Sequence, residues 1–411
     1  MARNTDDGRK NIIDLKGKDY LTVDASDSSN ENVLSFAHWV RDMLTLMRSG
    51  NPGTIALFES SVPEPVDMLG DVIRTAFRDG FPSSYKSVFM RNNPDVGEHL
   101  AARYGVPEES ILCTTGATTA IDMIYTALLS PGDRILVETP GFDIFANMAR
   151  DHGVHADFYR REGPDFDISV DGILEALHPD TRMVVLTNLH NPSGVYVSDV
   201  ALITLARVLA QKGVLLVLDE VYRDYLDSAG PGLDPAEHDN VLRISSLTKI
   251  FGLSTLRCGW IIAGQALLRR LRDYSERADF NVSRLSHCVA AEVLARADLF
   301  DQWRNDMMNA ARPVAAAALG EMAGQGLIHP GVTLQGCTCF PQLIGVEDTR
   351  SLSQWLSAKH GVVVVPGECF STPGYLRVGY GLPPERLGEG LARLARGLAE
   401  YRASGQKRHI A

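Results

Sequence analysis

Basic charge is what this 411-residue chain has too little of: 40 lysines and arginines stand against 51 aspartates and glutamates, a formal net charge of -11. A surface that grips a nucleic-acid backbone needs a clustered basic excess, so no nucleic acid is expected as a partner. The basic end Gln406-Lys407-Arg408-His409 is too short to reverse that balance. Long apolar runs are missing too. The most apolar stretches, Val214 to Leu218 and Val362 to Val365, are strand-sized, whereas a bilayer span takes about 20 apolar residues, so no membrane is expected. The opening Ala2-Arg3-Asn4-Thr5-Asp6-Asp7 is polar and carries no apolar run before a cleavage site, which predicts a cytoplasmic location. Cysteine is scarce, at 113, 258, 288, 337, 339 and 369. Cys337-Thr338-Cys339 has the wrong spacing for a zinc knuckle and no second ligand pair nearby, so free thiols and no metal are expected.

What remains is an ordinary soluble composition, 45% hydrophobic and 22% charged, on a chain long enough to split into two substructures. Residues 1–52 read as a polar arm followed by an amphipathic segment, Val33 to Met47, with Phe36, Val40, Met43, Leu44 and Met47 at helical spacing. Short apolar strands then alternate with helical stretches. Candidate strands are Ile111 to Thr114, Arg134 to Glu138, His155 to Tyr159, Met183 to Thr187, Val214 to Leu218 and Val241 to Ile244. Ala117 to Leu129, Ile144 to His152 and Val200 to Gln211 read as helices between them. Such alternation predicts an α/β fold: a mostly parallel sheet sandwiched by helices, over 53–310. A helix-rich stretch and a smaller α+β domain are expected over 311–411, with part of 1–52 joining it. Functional groups should gather past the carboxyl ends of the strands.

The chemistry-bearing residues fall there. Lys249 lies in Ser246-Leu247-Thr248-Lys249, with Arg257 eight positions on. A lysine amine can form a Schiff base with an aldehyde, while a hydroxyl and a guanidinium can bind a phosphate. Upstream, Thr114-Thr115-Gly116-Ala117-Thr118 turns from a strand into a helix, where free amides of the first turn suit a phosphate or close a plain turn. Asp219 ends the apolar run Val214-Leu215-Leu216-Val217-Leu218. A carboxylate there is expensive to desolvate without a cation, although it also suits a helix cap.

Asn191-Pro192-Ser193-Gly194, Asp219-Glu220-Val221-Tyr222 and the Lys249 cluster, in this order, resemble the fold-type I pyridoxal-phosphate enzymes, specifically the class I/II aminotransferase family. The resemblance runs from about Ile55 to about Leu394. It implies pyridoxal 5'-phosphate as cofactor, bound to Lys249, which also shuttles the α-proton. It places Ala117, Thr118, Ser246 and Arg257 on the phosphate, Phe142 against the ring, and Asn191 and Tyr222 on the phenolic oxygen. Asp219 becomes the partner of the ring nitrogen, and Arg377, in Tyr375-Leu376-Arg377-Val378-Gly379, the clamp on the substrate α-carboxylate, beside Asn191. His190 is left as a turn residue and Glu220 as a structural or surface acid. A homodimer is implied, with Tyr85 matching a tyrosine that crosses to the neighbour's phosphate.

Two positions depart from the family pattern. Glu59-Ser60-Ser61-Val62-Pro63 stands where many relatives carry a Gly-Glu-Pro turn, so Ser61 is expected to line the substrate pocket. Thr255 replaces the usual glycine before Leu256-Arg257. The function implied is transfer of an α-amino group from an amino acid to a 2-oxo acid. The alternative is lyase, cyclase or decarboxylase chemistry with the same cofactor. A regulator using this fold as a sensor is disfavoured, because no helix-turn-helix fits in the first fifty residues.

Overall fold

Seven strand-forming segments build the large sheet of the computed structural model, which describes residues 35–49, 53–85, 93–226, 230, 232–278 and 282–404. The polar arm before Val33 and the basic end after 405 lie outside the described residues. After a short strand β1 (Ile55–Ala56), the sheet strands are β2 (Ile111–Thr114), β3 (Arg134–Thr139), β4 (His155–Arg160), β5 (Thr181–Thr187), β6 (Leu215–Asp219), β7 (Val241–Ser246) and β8 (Gly259–Ala263), in the spatial order β2-β8-β7-β6-β5-β3-β4. Neighbours from β7 through β4 pair in parallel. The central strands are continuous apolar runs because helices cover both faces: Val184, Leu216 and Leu218 pack into one cluster, and Ile135, Val185, Val217 and Ile244 into another.

Local sequence accounts for these helices. Helix Asp199–Gln211 starts where the Ser198 hydroxyl accepts from the Ala201 amide, and it buries Leu202, Leu205, Ala206 and Leu209 on one face. Helix Pro94–Tyr104 begins at Asn93, whose side chain accepts from the amides of Asp95 and Val96, and ends on Gly105 in the left-handed conformation. The amphipathic segment expected from Val33 forms helix Phe36–Ser49, with Trp39 and Met43 buried.

Strand β8 was not legible from alternation. It runs antiparallel between β2 and β7, reached through a short helical turn that carries Lys249 rather than through a crossover helix. The C-terminal part supplies β9 (Thr338–Cys339), β10 (Val362–Val363), β11 (Val365–Pro366) and β12 (Leu376–Gly379); β12 pairs antiparallel with both β11 and β9. The long helices Ala297–Gly324 and Pro384–Ala403 share a core with these strands through Leu319, Met322, Leu387, Leu391 and Leu394. Strand β1 pairs in parallel with β10, and the Gly379 amide donates to the Leu57 carbonyl (2.7 Å), so residues 55–63 run beside the C-terminal strands. No helix among the described residues is long and apolar enough to cross a membrane.

Candidate active site

The carboxyl ends of five sheet strands, β2, β3, β5, β6 and β7, carry Ala117, Phe142, Asn191, Asp219 and Lys249 respectively into one crevice. Register makes this specific. Thr114 and Ser246 both stand opposite Gly259, one on each side of β8, so the Ala117–Thr118 turn and Ser246 approach across a glycine. A Cβ on Gly259 would lie 2.7 Å from the Gly116 Cα and 2.9 Å from the Ala117 nitrogen. Gly116 has φ +103°, and a Cβ there would lie 2.6 Å from Arg257 Nη2. Both positions require glycine, and both let backbone amides and a guanidinium meet in one cradle. Arg257 is held there through its own left-handed φ of +49° and by donating to the carbonyls of Thr115 (3.1 Å) and Ser254 (3.3 Å). Thr118 is exposed and Ala117 half-buried, so the cradle opens outward.

Asp219 sits at the end of β6, 7% exposed. Its Oδ1 accepts from the Val221 amide (3.1 Å), yet no cation among the described residues forms an ion pair with it. Burial pushes its carboxyl up to about 7; Glu138 and Glu220 push the same way, and the Val221 amide and Lys249 oppose them. This is a carboxyl group short of a positive partner.

Lys249 Nζ donates to the Ser60 hydroxyl (2.7 Å) and lies 5.8 Å from the centre of the Tyr222 ring. Ser60 is therefore the serine beside the lysine; the adjacent Ser61, expected to line the substrate pocket, is half-buried, with its carbonyl against Gly381. The Tyr225 hydroxyl donates to the Lys249 carbonyl (2.7 Å) and accepts from the Val62 amide (3.2 Å).

Arg377 is 1% exposed and forms no ion pair with any carboxylate of the described residues. Its Nη1 donates to Asn191 Oδ1 (3.1 Å), its Nη2 to the Phe58 carbonyl (3.0 Å), and its Nε has no partner. Burial holds this guanidinium below the usual arginine value. Phe36 and Phe370 lie 4.7 and 5.2 Å from its carbon, which fixes its plane. Phe36 also meets the half-buried Phe142 edge-on at 5.7 Å, and its amide donates to Asp143 (3.0 Å). The first turn of helix Phe36–Ser49 thus covers the arginine, a role no pattern in the sequence signals.

Behind Asn191, a buried network fixes the turn. The Asn191 amide donates to Thr187 Oγ1 (3.0 Å), the Thr187 hydroxyl donates to Glu138, and Glu138 pairs with the fully buried Arg161 (2.8 Å). His190 bonds Ser193 (2.6 Å) and the Pro140 carbonyl (2.8 Å), and burial holds its imidazole well below the ordinary value, as suits a turn residue. Glu220 is structural: it is buried and pairs with Arg243 (2.7 Å). Tyr85 stacks on Phe81 at 4.5 Å and is exposed.

An orphaned guanidinium nitrogen, a buried carboxyl without a cation and a glycine-lined cradle beside a lysine fit pyridoxal phosphate with an amino-acid carboxylate. Comparison with known proteins agrees. Capreomycidine synthase of Streptomyces vinaceus is 30% identical over 334 residues, covering 78% of this chain and 84% of that protein. Aspartate aminotransferase of Streptomyces avermitilis is 27% identical over 334 residues, covering 75% of this chain and 80% of its own. The solved structure of the PLP-dependent cyclase OrfR superposes with a TM-score of 0.77 at 26% identity, covering 92% of this chain and all (100%) of that one. The model of the family "Aminotransferase class I and II" matches residues 71–394, and the chain belongs to that family.

Proposed function

We propose that this chain is a pyridoxal-phosphate-dependent aminotransferase that moves an α-amino group between an amino acid and a 2-oxo acid, with Lys249 as its cofactor lysine. The observation that carries the reading is a pair of buried, unneutralised groups around that lysine, Asp219 and Arg377. When bound, the cofactor supplies an aldehyde for an amine and a protonated ring that takes up the electron pair left on the α-carbon. Ala117, Thr118, Ser246 and Arg257 bind the phosphate, and Phe142 packs on the ring. Asp219 keeps the ring nitrogen protonated, while Asn191 and Tyr222 bind the phenolic oxygen. Arg377 binds the substrate carboxylate by a charge-assisted pair, and Lys249 Nζ takes and returns the α-proton. Borohydride reduction of the purified holoenzyme should abolish its visible absorbance, and peptide mapping should place the reduced adduct on Lys249. An adduct on another lysine would overturn the assignment.

A second reading, cyclase chemistry on the same residues, draws support from the likeness to OrfR and from Ser60 next to Lys249. We further propose a cytoplasmic homodimer, with Tyr85 reaching toward the partner's phosphate site. The outward opening of the cradle at Thr118 and the exposed Phe81–Tyr85 stack support it. Light scattering at micromolar concentration should give twice the 44.9 kDa chain mass. A monomer mass with full activity would rule the dimer out.

A further inference from the structure

We propose that Ser60 is a further catalytic residue, holding the Lys249 amine in place, and that Tyr225 is the positioning residue that fixes Ser60 relative to it. The inference rests on Lys249 being the cofactor lysine. Lysine carries its amine on a flexible four-carbon stem, so an amine that must take a proton from one face of one carbon needs an external hold. Ser60 supplies that hold: its hydroxyl accepts a hydrogen bond from Nζ, at 2.7 Å, and the serine is 6% exposed.

The hold is useful only if Ser60 itself cannot drift, and its loop is clamped on both sides. Before it, the Leu57 carbonyl accepts from the Gly379 amide and the Phe58 carbonyl from Arg377. After it, the backbone packs so closely on Gly252 that a Cβ there would lie 2.6 Å from the Val62 carbonyl oxygen. The Val62 amide donates to the Tyr225 hydroxyl, and that same hydroxyl donates to the Lys249 carbonyl. Lysine head, serine loop, tyrosine hydroxyl and lysine backbone therefore close one ring. The Tyr225 ring is buried and stands 5.7 Å from the Arg304 guanidinium carbon, so removing its hydroxyl leaves the ring packing in place.

The test uses Ser60→Ala, Ser60→Thr and Tyr225→Phe. In cofactor-free protein, the rate at which trinitrobenzenesulfonate modifies Lys249, read by peptide mapping, should rise about five-fold in Ser60→Ala, as expected on releasing one hydrogen bond. Tyr225→Phe should shift it the same way, and Ser60→Thr, which keeps the hydroxyl, should regain most of the difference. In holoenzyme, exchange of α-protons in a mixture of the standard L-amino acids in deuterium oxide should slow about ten-fold in Ser60→Ala, on the low side for a mispositioned base. Wild-type modification and exchange rates in Ser60→Ala and Tyr225→Phe, with the borohydride adduct still on Lys249, would overturn the brace and leave the cofactor assignment standing. An adduct on a different lysine would overturn both.

Discussion

Asp219→Asn is expected to lower kcat on the order of 10^2–10^3-fold while the cofactor stays bound, a loss typical of removing a buried electrostatic partner. The phosphate contacts proposed for the Gly116 turn, Ser246 and Arg257 do not involve this side chain, so binding should survive. What the substitution should remove is the negative charge proposed to face the ring nitrogen. The same substitution has a signature without cofactor. The folded-state carboxyl is pushed up to about 7, against an ordinary value of 3.8, so between those limits the folded protein binds a proton that the unfolded chain has released. Stability of the cofactor-free protein should therefore fall as pH rises from about 4 to about 7, by on the order of 4 kcal/mol from this group. Denaturant titrations of wild type and Asp219→Asn across that range isolate it: the difference between the two should vary with pH only in cofactor-free protein. A near-normal kcat in the variant would reduce Asp219 to a structural cap.

Arg377→Ala should raise KM for the amino acid by about two to four orders of magnitude, because a buried charge pair broken on one side costs about 3–5 kcal/mol. The free Nε, the two bonded Nη groups and the flanking rings of Phe36 and Phe370 give the guanidinium one orientation. Lysine in its place should restore little, since an ammonium cannot present a planar fork. Steady-state kinetics that show a fall in kcat alone would argue that Arg377 supports the fold instead.

Much of this site could be read from the chain because its residues sit at strand ends, and strand ends are marked by where apolar runs stop. Asp219 after Val214–Leu218 and Asn191 after Met183–Thr187 are of that kind. Strand β8 was hidden because an antiparallel neighbour needs no crossover helix, and its apolar run Trp260–Ala263 follows directly on the Arg257 turn. Ser60 was hidden for a different reason. Two adjacent serines in a loop have no period that says which faces inward, and the side that meets Lys249 is set by Gly379, Gly252 and Tyr225, all distant in sequence. Tyr225 itself follows Tyr222 at one helical turn, a spacing that places both hydroxyl-bearing rings near one another. The covering role of Phe36 depends on where a whole helix docks, which is a tertiary property.

The most direct measurement of the central claim is a single turnover of holoenzyme with each standard L-amino acid in turn and no acceptor, following the cofactor spectrum and the product together. The account predicts that at least one amino acid converts the cofactor to its aminated form with one equivalent of the matching 2-oxo acid, and that adding a 2-oxo acid reverses the change. Release of carbon dioxide, or formation of an eliminated or cyclised product with the original spectrum restored, would contradict it.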